Sequence, residues 1–185
     1  MSFPAFLDAC VLIPIRLTDL LLRLAEAGTY RALWSGEVLD EVERNLVGHF
    51  GLEPQQAKRR LTGMRSAFPD SEVTGYEPLI PTMTNHPKDR HVLAAAVRAN
   101  AAVIVTANLK DFPASALEPH QLEAVHPDDF LLDQLDLYPA ATLRCLREQV
   151  NALERPPETL SEFLERFERT VPAFSKESRR LLDGG

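Results

Sequence analysis

A single carboxylate, Asp8, stands inside the apolar stretch Phe3–Leu12 (FPAFLDACVL). Such a run reads as a strand buried on both faces in the middle of a sheet. An ionised side chain there costs several kcal/mol of desolvation unless a positive charge offsets it. The pattern suggests that the strand's apolar run ends near Asp8, which would then stand at its carboxyl end. That is the usual ligand position of open α/β sheets. The alternative is an Asp that caps a loop or pairs with an arginine.

The rest of the chain supplies helices and short strands in alternation. Leu20, Leu21, Leu24 and Ala25 recur at helical spacing, and Gly28 stops that helix. Tyr30–Trp34 is a short strand, and Ser35 caps a helix carrying Val38, Leu39, Val42 and Leu46. Ala57, Leu61, Met64 and Phe68 line one face of a further helix that Pro69 ends. A Pro-rich stretch, Pro78 to Pro87, leads into another helix, with Pro87 in its first turn. Ala102–Thr106 is β-branched and short enough to be buried on both faces, and Leu122–His126 is a further strand. This order predicts an α/β fold with a central parallel sheet. After Pro139 the pattern is helical only: Leu143, Leu146, Val150 and Leu153, then Leu160, Phe163, Leu164 and Phe167, with Pro156-Pro157 between the two helices. The expected organisation is an α/β domain over residues 1–130 and a helical extension over 131–185.

Composition limits the function classes. Hydrophobic residues at 45% and charged residues at 25% suit a folded globular chain. The longest stretch free of charged residues is the 11 residues Ala99–Leu109, about half of what a membrane helix needs. The amino-terminal segment lacks a basic n-region, and Asp8 interrupts its apolar run, so a cytoplasmic protein with no membrane partner is expected. Net charge is −7, which argues against coating nucleic acid non-specifically and leaves room for a carboxylate-rich metal site. Cys10 and Cys145 are too few and too far apart for a disulfide framework or a zinc site, and read as small core residues.

Three further acids stand out. Stepping 100° per residue, Asp89 shares a helix face with Leu93 and Ala96, so its side chain points toward the core side. The helix dipole favours an anion in that first turn. Asp111 follows the Ala102–Thr106 strand in the loop TANLKDFP, with Asn108 between. Loops leaving buried strands at their carboxyl side are where sites are assembled, although a lone Asp there is commonly a turn residue. On the helix after Ser35, Glu41 and Glu43 both flank the buried arc, and periodicity does not choose between them. Carboxylates converging over the strand ends cannot all stay ionised without cations. Hard, oxygen-ligated Mg²⁺ or Mn²⁺ fits that chemistry, and such a centre suits phosphodiester hydrolysis.

These residues, in this order, resemble the PIN-domain ribonuclease family. The matching segments are FLDACVL, SGEVLDEVERNL, HPKDRHVLAAAV and AAVIVTANLKDFP, within residues 3–130. The resemblance implies a three-layer α/β/α fold with a central parallel sheet, RNA cleavage, and Asp8, Glu41, Asp89 and Asp111 as the catalytic, metal-binding acids. It prefers Glu41, because the family's acid follows the Val-Leu pair by two residues. Many PIN domains have Asp where this chain has Asn108, which offers an oxygen ligand without charge, so one ion is a safer expectation than two. Many small bacterial members are VapC-type toxins silenced by a co-expressed antitoxin. The resemblance therefore implies an RNA substrate, an antitoxin partner and pairing into a homodimer.

RNA also needs positive charge near the acids. Arg90 and Lys110 neighbour Asp89 and Asp111, and Lys58, Arg59 and Arg60 form a run on the third helix that otherwise reads as a solvated face. The histidines show no zinc spacing, and His86 and His91 take no assigned role. Competing phosphate enzymes fit poorly. Cys10 stands where a haloacid-dehalogenase-like phosphatase has its second Asp, no Gly-rich turn follows the first strand, and the paired acids of a receiver domain are missing. The remaining alternative is a PIN-fold module that binds RNA or protein without turnover.

Overall fold

The apolar run around Asp8 divides in two. In a computed structural model describing residues 2–154 and 156–183, strand β1 covers only Pro4–Leu7, and Ala9–Leu12 form a single helical turn, α1. Asp8 causes the switch. It is extended, with φ −74° and ψ 158°, and its carboxylate accepts the Ala9 N–H at 2.7 Å. A capping carboxylate of this kind offers the backbone a helical start and ends the strand. The acid therefore caps a turn and also stands at the carboxyl end of β1.

Four more strands complete the sheet: β2 (Arg31–Ser35), β3 (Glu72–Val73), β4 (Val103–Val105) and β5 (Glu123–Val125). Their order is β3-β2-β1-β4-β5, and all pairs are parallel. β1 is central, and Ala5, Phe6 and Leu7 are fully buried because helices cover both faces. The chain moves outward from β1 through β2 to β3, then returns to β4 on the other side of β1. The carboxyl ends of β1 and β4 thus flank the crevice where an open α/β sheet binds its ligands.

Helices α2 (Ile15–Glu26), α3 (Gly36–Gly48), α4 (Pro54–Ala67), α5 (Arg90–Arg98) and α6 (Ala114–Leu117) connect and cover the strands. Ser35 caps α3 by accepting the Val38 N–H at 3.3 Å. Phe68, expected on the last turn of α4, instead lies just beyond it, with its ring edge-on to Trp34 at 5.9 Å. Pro87 starts a short 3-10 turn, Pro87–Asp89, and the regular α5 begins one residue later. Five consecutive residues of α5, Val92 to Ala96, are buried, which the three alanines among them permit by letting the helix lie close against its neighbours.

Beyond β5 the chain is helical: α7 (Pro127–Leu137), α8 (Pro139–Asn151), α9 (Leu160–Phe167) and α10 (Pro172–Asp183). α7 spans residue 131, the start of the expected extension. Its Phe130 packs edge-on against Tyr30 and Phe3 at 5.0 and 6.3 Å, within the sheet's own core. α8 packs on α2, and α10 packs on α7 and α9. Glu158 fastens the two parts through Arg16 at 2.5 Å and Arg166 at 2.7 Å. The architecture is the three-layer α/β/α arrangement with a parallel central sheet that the resemblance implied, with helices added at the carboxyl end.

Candidate metal centre

β1 and β4 pair in register at Leu7 and Val105, so the next residue on each, Asp8 and Thr106, meet across the sheet end. The Asp8 N–H donates to the Val105 carbonyl at 3.1 Å. The Thr106 hydroxyl donates to Asp8 Oδ2 at 2.7 Å and accepts the Asn108 N–H at 3.0 Å. Cys10 joins the same group: its Sγ lies 3.3 Å from Asp8 Oδ2 and accepts the Ala107 N–H at 3.3 Å. Burial, reinforced by the Asp8 charge, pushes the Cys10 thiol up to about 12. It is therefore a protonated donor at neutral pH. Cys10, expected to be a small core residue, and Thr106, at the end of the predicted strand, together hold the Asp8 carboxylate in one orientation.

Asp89 comes from the 3-10 turn before α5 and is buried. Burial first, then the charges of Asp8, Asp111 and Glu41, raise its carboxyl above the ordinary range, while Lys88 acts the other way. Asp8, Asp111 and Glu41, from three other segments, thus lie close enough for their charges to act on Asp89. Asp89 accepts no hydrogen bond on its carboxylate among the described residues; the nearest basic group is His86 Nδ1, 3.7 Å from its Oδ2. Asp111 lies on the 3-10 turn Leu109–Asp111. Ligand atoms of His86, Asp89 and Asp111 all fall within 4.8 Å of one another.

Glu41 and Glu43, equivalent by periodicity, part company in space. Glu41 Oε1 lies 3.9 Å from Lys88 Nζ, and its charge acts on Asp89. Glu43 acts on Arg65 and lines a groove with Asp40, Arg44 and Lys58. Asn108 is exposed and precedes the Asp111 turn, where its carbonyl, not its side chain, accepts the Asp111 N–H at 3.0 Å. Of the basic candidates, Lys110, Lys58 and Arg59 are exposed, and Arg90 donates from Nε to the Asn85 carbonyl at 3.3 Å. Arg60 is committed elsewhere. Its guanidinium donates to the carbonyls of Leu12 and Ile13 at 2.7 and 3.2 Å and to Thr18 Oγ1 at 2.9 Å, closing the end of α1. The orphan carbonyls of a helix end need such a donor.

An open parallel sheet with acids gathered at its switch point defines an α/β protein with an acidic centre. The chain belongs to the PIN-domain family, whose model matches residues 4–110. Residues 127–180 match a second family model, the VapC50 C-terminal domain. The chain is 52% identical over 123 residues to the protein named "Putative ribonuclease VapC50" of Mycobacterium tuberculosis (strain ATCC 25618 / H37Rv), covering 66% of this chain and 70% of that one. No solved structure matches the chain. Among the described residues no helix is long and apolar enough to cross a membrane.

Proposed function

We propose that this protein is a metal-dependent endoribonuclease that hydrolyses RNA phosphodiester bonds, and that it is the toxin of a type II toxin–antitoxin pair. The observation that carries the reading is the buried Asp89 carboxylate, without a hydrogen bond among the described residues, with Asp111 at ligand distance and the charges of Asp8 and Glu41 acting on it. Four carboxylates against one exposed lysine, Lys88, form an oxygen donor set suited to a hard divalent cation. Mg²⁺ or Mn²⁺ would be held by Asp8, Glu41, Asp89 and Asp111, with the Asn108 oxygen at the rim. When bound, such a cation supplies Lewis acidity toward the phosphate and lowers the pKa of water.

The chain's own residues do the rest. Thr106 and the Ala9 N–H each hold one oxygen of Asp8, fixing its direction. Lys110 and Lys88, exposed beside Asp111 and Asp89, would meet RNA phosphates, with Lys58 and Arg59 exposed on α4 and Arg90 bonded to the Asn85 carbonyl. Residues 1–130 act as the catalytic part and 131–185 as an extension that shapes the RNA-binding rim or docks the antitoxin. The relative's name as a ribonuclease supports the activity. The VapC-type resemblance supports an antitoxin partner, a homodimer and a cytoplasmic site of action.

Incubating an RNA of mixed sequence with Mg²⁺, Mn²⁺ or EDTA tests the proposal. Wild type is expected to cleave only with metal, and Asp8→Asn to lose cleavage. Binding without cleavage by both proteins would favour the non-catalytic module.

A further inference from the structure

His86 lies outside the acid set, yet among the described residues its imidazole is the basic group nearest the Asp89 carboxylate. We propose that His86 Nδ1 ligates the same cation as Asp89 and Asp111, making a mixed imidazole–carboxylate centre that holds Mn²⁺ or Co²⁺ in preference to Mg²⁺. This deepens the metal-dependent reading above and rests on it.

Three observations carry it. First, the 3.7 Å from His86 Nδ1 to Asp89 Oδ2 is too long for a hydrogen bond. It is near the about 3.0–3.5 Å that separates neighbouring ligands around one ion at about 2.1 Å. Ligand atoms of Asp111 complete the same cluster.

Second, the backbone of His86 is fastened to both aspartates. Its N–H donates to the Asp111 carbonyl at 3.2 Å, and its carbonyl accepts the Asp89 N–H at 2.9 Å. Pro87 adds a constraint, since a residue before proline is confined to extended conformations, and His86 has φ −52° and ψ 130°. Only the side-chain torsions remain free. The ring is 54% exposed, so a small rotation toward an ion meets little packing resistance.

Third, the Asp89 side chain is only 10% exposed and accepts no hydrogen bond among the described residues. A buried carboxylate aimed at an imidazole without bonding to it leaves a gap that a shared cation would close. Carboxylates and water suit Mg²⁺, whereas an imidazole ligand raises affinity for later first-row ions more than for Mg²⁺.

Electron spin echo spectroscopy of the Mn²⁺-loaded full chain reads a ligating nitrogen without any substrate, and calorimetry gives affinities for Co²⁺, Mn²⁺ and Mg²⁺. Imidazole nitrogen coupling is expected in wild type and in His91→Ala, whose Nδ1 instead lies 3.9 Å from Glu37. It should vanish in His86→Ala. Co²⁺ affinity should fall at least about tenfold in that variant, the scale on which even outer-shell partners act, while Mg²⁺ affinity changes by less than about threefold. An unchanged far-ultraviolet spectrum would show that His86→Ala still folds. No nitrogen coupling in wild type, with Asp89→Asn abolishing Mn²⁺ binding, would overturn the His86 ligand and leave the acidic centre standing. Failure of wild type to bind Mn²⁺ would overturn both.

Discussion

The amino terminus of α10 is capped from 45 positions away, and removing that cap has a calculable cost. Val171, just ahead of the helix, is fully buried and has no side-chain acceptor. The Asp128 carboxylate, in the first turn of α7, accepts the N–H groups of Ala173 and Phe174 at 3.0 and 2.8 Å. Each bond to a charged acceptor contributes about 1.5–3 kcal/mol, and the negative charge also meets the positive end of the helix dipole. The two bonds share one carboxylate and are not additive, so Asp128→Ala should destabilise the protein by about 3 kcal/mol. In a chain of this size that lowers the thermal midpoint by about 6–12 °C. Asp128→Asn keeps a neutral oxygen acceptor and should lose about half as much. Urea unfolding followed by far-ultraviolet circular dichroism measures both. An Asp128→Ala protein within about 0.5 kcal/mol of wild type, the range of an ordinary surface change, would refute the assignment of this remote cap.

Three other outcomes follow from the same geometry. Asp89 has its carboxyl raised in the folded state, so the folded protein holds that proton more tightly than the unfolded chain. Its contribution to stability is therefore present at low pH and is lost as pH rises from the ordinary carboxyl value through the raised one. In metal-free protein, Asp89→Asn should gain stability over wild type at pH 7 and not at pH 3; an equal effect at both would sink that sign. Mn²⁺ at a hundred times its dissociation constant should stabilise wild type by about 2.7 kcal/mol and leave Asp8→Asn/Asp89→Asn unmoved, read as a shift in the melting curve. Arg60→Met should cost about 2 kcal/mol through the lost carbonyl bonds at the end of α1, whereas Lys58→Ala and Arg59→Ala should leave thermal unfolding nearly unchanged.

The parallel sheet and the order of the acids were legible because each left a contradiction in the pattern. Asp8 interrupts an apolar run, and Asp89, on the turn just ahead of α5, falls on the core side of that helix's apolar pattern, so both demanded an explanation from chemistry. Other elements left no such trace. β3 has two residues and α6 has four, too short for any period to register. In α7 and α10, Gln134, Ser175 and Ser178 occupy fully buried positions, so polar residues at core sites broke the apolar repeat. Glu41 and Glu43 flank their helix's buried arc alike, and only the approach of the Asp89 turn separates them. His86 sits between elements, on a turn whose course depends on contacts with the distant Asp111 loop. The Lys58–Arg60 run looks uniformly basic, yet one member is spent on main-chain carbonyls.

Anomalous diffraction from crystals soaked in Mn²⁺ locates the cation that the acids are proposed to hold. A single dominant peak is expected within ligand distance, about 2.1–2.6 Å, of carboxylate oxygens of Asp89 and Asp111, on the side facing Asp8. A dominant peak away from these acids, or none at saturating Mn²⁺, would contradict the proposed centre.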